Sequence, residues 1–156
     1  MLKTSKQKQK DLNIHKIILL FMADEAVIIE LLGNPPGVPI QYICVDGDAF
    51  PKGTILKLSD DREADLSAAA GNVCAGICAM EKVASDGSTT VSAYTNGIFD
   101  LKEANVAGIT VGGGVVIGGA NLVRAETAGD AELGKIFGHA LATFAKAGTE
   151  SVRVLI

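Results

Sequence analysis

Aromatic side chains are scarce in this sequence. Its 156 residues include no tryptophan, two tyrosines and five phenylalanines, which leaves little bulk to fill a thick helical core. The apolar content of 48% comes mainly from alanine and valine, and there are 18 glycines. Small and β-branched residues with many glycines suit thin, tightly turned sheets. The composition therefore predicts a mainly β protein, folded as a small single-domain β-barrel or β-sandwich.

Cysteine is equally scarce, and the sequence has no long apolar run. The three cysteines form no close pairs, which favours synthesis in a reducing cytoplasm over a disulfide framework. The apolar run from Ile17 to Met22 is far shorter than the ~20 residues that a spanning helix needs. Acidic Asp24 and Glu25 stand where a signal peptide would have its cleavage site. We therefore expect no membrane partner and no export.

Charge is distributed unevenly along the chain. Residues 1–16 hold five lysines and one aspartate, a net charge of +4, so the remainder must carry −8 of the overall −4. An acidic body repels phosphate backbones, which excludes a nucleic-acid partner unless the tail alone binds. The sequence changes character at Met22, so we interpret residues 1–21 as a disordered or wrongly annotated extension. The alternative is a basic arm that grips an acidic partner.

Two glycine-containing segments have the outline of nucleotide loops but lack the decisive residues. Gly129–Ile136 has the spacing of a phosphate loop, yet Ile136 stands where the magnesium-binding serine or threonine belongs. Gly112–Gly119 has Ile117 in place of the last glycine of a dinucleotide fingerprint. We therefore expect no nucleotide cofactor.

The residues that most often carry catalysis also lack partners in sequence. Cys74 and Cys78 lie too far apart on a strand to share a metal comfortably, and no further ligands lie close by. His139 lies in an apolar stretch without a recognisable triad motif. The acidic residues between Asp60 and Asp65 do not follow calcium-loop spacing. The sequence therefore predicts no catalytic residue, cofactor or metal site, and a protein that is not an enzyme.

The rest of the chain predicts short strands between turns. The exception is residues 60–71, where acidic residues at the start and Gly71 at the end favour a helix, with a loop as the alternative. Asn96-Gly97 predicts a hairpin turn. A weak internal repeat relates Gly76–Tyr94 to Gly138–Ile156, and Gly53–Leu58 to Gly119–Ala125. We therefore expect two related β-units on one core.

The N-terminal part of the body differs in its predicted structure from the rest. Residues 22–45 are predicted to form an extended arm and the first strands, and residues 46–156 the β-rich domain. Two prolines follow the first apolar run and should keep the segment 26–38 out of the domain's sheet.

Several segments together resemble the small capsid decoration, or cement, proteins of tailed phages. They are an extended N-terminal arm followed by Pro51–Asp61, Ala75–Val83, Thr89–Leu101 and Ala147–Ile156. The resemblance covers about residues 22–156. It lies in the general character and the order of these segments, without a diagnostic motif.

The resemblance implies a β-rich homotrimer on the outer surface of a virion capsid, made in the host cytoplasm, with the major capsid protein as its partner. Such a protein would stabilise the capsid by bridging its subunits. The apolar arm supplies the capsid-contact candidates, which are Val27, Ile28, Ile29, Leu31, Leu32, Pro35 and Pro36. The alternatives are a virion tail or fibre adaptor, and a small-molecule-binding β-barrel or enzyme.

Overall fold

The computed structural model describes residues 25–33, 37–104, 108–143 and 151–156. These residues form eleven β-strands and, within these ranges, no helix. The strands are β1 Val27–Leu31, β2 Ile40–Ile43, β3 Ile55–Asp60, β4 Glu63–Leu66, β5 Cys74–Cys78, β6 Thr90–Tyr94, β7 Gly97–Glu103, β8 Gly114–Gly119, β9 Leu122–Ala125, β10 Gly138–Ala140 and β11 Ser151–Leu155. The prediction of a mainly β chain that forms a small barrel is confirmed.

The strands form two small barrels in succession. Barrel one consists of β2 to β6 and closes in the order β2-β4-β3-β5-β6. Barrel two consists of β7 to β11 in the order β7-β11-β10-β8-β9, and the pairing of β7 with β9 completes its ring. Read from its first strand, barrel two runs β7-β9-β8-β10-β11, which is the connectivity of barrel one.

The two barrels also share their register. The first strand pairs in parallel with the third at Ile43 and Glu63 in barrel one, and at Lys102 and Leu122 in barrel two. The hairpin formed by the second and third strands carries a β-bulge at the same position in each barrel, before Asp60 in barrel one and before Gly119 in barrel two. Over the first three strands, each position is separated from its counterpart by the same number of residues. The expectation of two related β-units is therefore met in the backbone.

The buried residues form two clusters, and alternation along β3 places neighbouring residues in different ones, so that the barrels do not share the single core that was expected. On β3, Leu56 packs into the interior of barrel one, whereas its neighbour Ile55 packs with Phe99 and other residues of barrel two. Asn121, in the turn between β8 and β9, accepts a hydrogen bond from the Ile55 N–H at 2.9 Å. The Asn121 N–H in turn donates to Ser67 Oγ at 3.1 Å. Side chains on the outer face of barrel one, such as Ile55, therefore form part of the contact between the two barrels.

Three local predictions were wrong. Residues 60–71 are not a helix, because Ala64 points into barrel one while Glu63 and Asp65 point away, an alternation that makes β4. Asn96-Gly97 does not close a hairpin, because it leads from barrel one into barrel two. Residues 26–38 do not stay outside the sheet, because β1 pairs with β7 from Val27 to Leu31.

The internal repeat was correct for one pair of segments and wrong for the other. Gly76–Tyr94 and Gly138–Ile156 contain the equivalent pairs β5 with β6 and β10 with β11. Gly53–Leu58, however, contains β3, whose counterpart is β8 rather than the segment 119–125. Short alternating strands resemble one another too closely for sequence to choose between neighbours.

Candidate interaction surfaces

The segment with phosphate-loop spacing is a turn held in place by its own side chains. Asp130 is buried and accepts a hydrogen bond from Arg124 at 2.9 Å, and both the N–H and the hydroxyl of Thr127 donate to the same carboxylate. These hydrogen bonds hold the pKa of Asp130 well below its usual range. Lys135, the phosphate-loop lysine by spacing, lies over Gly71, whose missing Cβ would sit 3.2 Å from its Nζ. The described geometry is that of a structural turn.

Glycines in the run Gly112–Gly119 allow close packing within β8. A Cβ on Gly114 would lie 2.6 Å from Glu126 Oε2, and one on Gly118 would lie 2.9 Å from the backbone of Val123. These glycines therefore provide space for neighbouring groups.

The three cysteines are free thiols in or beside the core. Burial raises the pKa of Cys74 to about 12 and that of Cys78 to about 11, which keeps both thiols protonated and poorly nucleophilic. In the part of the chain that the structure describes, no group of three histidine, cysteine or acidic side chains is placed to hold a metal ion. Within the same residues, no helix is long and apolar enough to cross a membrane.

His139 lies on the surface of β10, opposite Leu155. It borders a shallow groove of about 530 Å³ whose other walls are mainly apolar, including Leu32, Phe137 and Ile156. The acidic residues between Asp60 and Asp65 lie on the β3–β4 hairpin. Lys57 pairs with Asp65 at 3.1 Å in this hairpin.

The capsid-contact candidates on β1 divide into two groups. Val27 and Ile29 are 56% and 42% exposed, whereas Ile28 and Leu31 pack against the core of barrel two. Leu32 is half-buried beside the groove of His139. Pro35 and Pro36 lie outside the described residues. β1 is an edge strand paired with β7, and its exposed apolar side chains are Val27 and, at the β-bulge between Ile28 and Glu30, Ile29.

The first strand of each barrel has a different outer edge. On β7 this edge is covered by β1, with Val27 opposite Asp100 and Ile28 opposite Phe99. On β2, only Ile43 pairs with β4, and among the described residues no strand covers Ile40–Tyr42 on the side away from β6. Beside this stretch lies a cleft of about 320 Å³. Sequence reasoning missed this edge because strand order cannot be read from periodicity.

No protein-family model matches the chain, and no curated protein matches it. Among solved structures, the chain is similar to the N-terminal base of the head fibre gp8.5 of bacteriophage phi29. That likeness has a TM-score of 0.48 and 15% sequence identity, and it covers 76% of this chain and 94% of the head fibre base. Similarity at this level assigns neither a family nor a function.

Proposed function

We propose that this chain is a structural virion protein that binds the outer surface of a phage-type capsid and stabilises it by bridging capsid subunits. The proposal includes a homotrimer, the major capsid protein as partner, and no enzymatic activity. The observation that carries it is the exposed apolar face of β1. An edge strand that presents apolar side chains suits docking by burial of surface and strand addition.

Both barrel interiors are filled by their own side chains, which favours this proposal over a small-molecule-binding barrel. Phe50 and Leu56 in barrel one, and Phe99, Leu101 and Ile117 in barrel two, are all fully buried. A barrel that holds a ligand needs a cavity between its walls.

The test is capsid binding by a variant that loses the exposed β1 face. Val27→Asp with Ile29→Asp places two charges on that face, and these would be buried without partners in a docked complex. Ile28 is left unchanged because it packs against the core. Binding to expanded capsids, assembled from the major capsid protein of the same virus, should fall to background in a co-sedimentation assay.

The matched control is Val111→Asp with Leu133→Asp. These residues are 61% and 63% exposed and lie on loops outside the strands. The control adds the same charge and should decorate capsids like the wild type. Decoration at wild-type occupancy by the β1 variant would show that β1 is not the anchor. Failure of both variants would point to general repulsion by added negative charge and would contradict the proposed contact.

The trimer is tested separately by light scattering on the isolated chain. A small domain with exposed strand edges gains stability when copies cover those edges. The predicted mass is three times that of the 16.1 kDa chain. A monomer at every concentration would overturn the trimer, while leaving capsid binding by single copies to be judged by co-sedimentation.

A further inference from the structure

The chain enters the described structure beside one end of barrel one. The Ala26 N–H donates to the Gly53 carbonyl at 2.8 Å, and the Gly53 N–H donates to the Cys78 carbonyl at 2.9 Å. Met80 follows Cys78 by two residues, which is at most about 7 Å of chain. Residues 1–24 therefore join the described part of the molecule close to Met80.

Met80 is one of several exposed apolar side chains at this end of the barrel. It is 67% exposed and borders a cleft of about 260 Å³. Val45 and Val83 are also more than half exposed. Their chain segments are adjacent, because the Lys82 ammonium donates to the carbonyl of Asp46 at 2.8 Å and to that of Val83 at 3.4 Å. This end of barrel one therefore offers apolar surface that a covering segment would remove from water.

Carboxylates lie beside these apolar side chains. The loops 46–53 and 79–88 together hold four acidic residues and two lysines, a net charge of −2. Both Glu81 and Asp86 border the cleft. Asp86 lies 3.6 Å from the ammonium of buried Lys82, whereas the exposed Glu81 carboxylate has no ion pair or hydrogen bond with the residues that the structure describes. This surface therefore suits a partner that is both apolar and positively charged.

The beginning of the chain has this chemistry. Residues 1–16 carry a net charge of +4, and residues 17–22 are six consecutive apolar residues. Eight residues of chain separate residue 17 from residue 25, up to about 27 Å when extended, so the apolar run can reach Met80. The order also matches, since the apolar run lies nearer to the point of entry than the lysines do, and Met80 lies nearer to it along the chain than Asp86 does.

We propose that residues 1–22 bind this end of barrel one in the same chain, with the apolar run over Met80 and the lysines beside Glu81 and Asp86. The acidic partner of the basic arm is then the chain's own barrel one. A tethered segment has a local concentration of about millimolar, so contacts that are weak one by one suffice. The contact covers apolar surface that otherwise favours unspecific association, and salt weakens its ionic part. The inference is independent of the capsid contact proposed for β1.

The experiment follows the Met80 methyl group by NMR in the full chain, labelled at its three methionines. At low salt this methyl group should show nuclear Overhauser contacts with side chains of residues 17–22. Its signal should move when sodium chloride is raised to about 1 M, where charges are screened within about 3 Å. Leu19→Asp with Phe21→Asp should abolish the contacts, because the docked segment would then bury unpaired charges. Unchanged signals from barrel two would show that this variant keeps its fold.

Glu81→Lys reverses the charge beside Met80 and should lower the docked population about twofold to fivefold, as expected for an exposed ion pair. Glu132→Lys is the matched control, because it makes the same change on an exposed loop of barrel two and should leave the contacts unchanged. The proposal is overturned if Met80 shows no contact with residues 17–22 at low salt, or if Glu81→Lys docks as well as the wild type. Contacts between labelled and unlabelled chains in a mixed sample would show that the segment binds a second copy, and would overturn binding within one chain.

Discussion

The two barrels share strand order and register, yet they differ in what pairs with the outer edge of their first strand. Barrel two covers the edge of β7 with β1 and buries Phe99 completely. Barrel one leaves the corresponding edge of β2 without a strand among the described residues and places Pro39 and Arg62 there. The same connectivity therefore supports either a completed edge or an open one, and a few side chains decide which. Proline and a charged residue are also ways to restrain unwanted pairing at an edge.

The largest effect should come from breaking the covered edge. Phe99→Ala removes a fully buried ring under β1 and should cost about 3–5 kcal/mol of unfolding free energy. Ile40→Ala, at the equivalent open position, should cost less than about 1 kcal/mol because the side chain is already 42% exposed. Denaturant unfolding measures both, and equal losses would contradict the difference between the edges.

A second comparison concerns ion pairs at equivalent strands. Arg124 on β9 stands where Asp65 stands on β4, but it pairs with buried Asp130, whereas Asp65 pairs with Lys57 on the surface. Asp130→Ala should therefore lower the Tm clearly more than Asp65→Ala does.

The pH dependence of the Asp130 contribution has a definite sign. The folded-state pKa of Asp130 lies below its ordinary value of 3.8, so its stabilisation is present above that pH and is lost as the pH falls further. The difference in Tm between the wild type and Asp130→Ala should shrink below about pH 3.8. A difference that stays constant into strong acid would show that the charge is not responsible.

Glu103 is a buried carboxylate. It is 2% exposed, and among the described residues neither carboxylate oxygen has a hydrogen-bond partner. Burial raises its pKa, so the stability that it contributes is present below the ordinary value of 4.5 and is lost as the pH rises through the folded-state pKa. Glu103→Met should stabilise the protein at pH 7 by about 1–3 kcal/mol, and the gain should diminish toward pH 4. Glu132→Met, at an exposed position, is the control and should change little. A loss of stability in Glu103→Met at pH 7 would mean that the carboxylate has a favourable role.

The smallest effect should separate the two equivalent turns at Arg62 and Asn121, both of which have positive φ. Arg62→Gly relieves the backbone and should raise stability by up to about 1 kcal/mol. Asn121→Gly gives the same relief but loses the acceptor for the Ile55 N–H, so it should be destabilising by about 1 kcal/mol. Matching changes in the two variants would show that the Asn121 side chain does not join the barrels.

The sequence predicted the fold class but not the division into two barrels. Composition and alternation were enough for a small barrel, and the repeat correctly paired β5–β6 with β10–β11. The sequence did not identify β8 as the counterpart of β3. The glycines of β8, which allow close packing, interrupt the alternation of side chains that would indicate an equivalent strand. Residues 60–71 suggested a helix or a loop, because acidic residues stand at the start and Gly71 at the end, whereas the burial of Ala64 in barrel one makes residues 63–66 a strand.

The candidate contacts were predictable only in part. The apolar run of β1 was visible in the sequence, yet Val27, Ile28 and Ile29 could not be sorted into buried and exposed residues. All three are apolar, so the run carries no alternation that indicates the buried face. The edge of β2 depends on the pairing of distant strands, which no local pattern encodes.

Amide hydrogen exchange at Gln41 and Asp100 in the chain alone tests the difference between the barrels most directly. Both residues point their backbone groups toward the outer edge of the first strand, where Asp100 meets Val27 of β1. We predict that the Asp100 amide exchanges at least about 100-fold more slowly than the Gln41 amide after correction for intrinsic rates, because an N–H within a ladder exchanges only when the strand opens. Equal protection at the two positions would contradict an open edge in barrel one and a covered edge in barrel two.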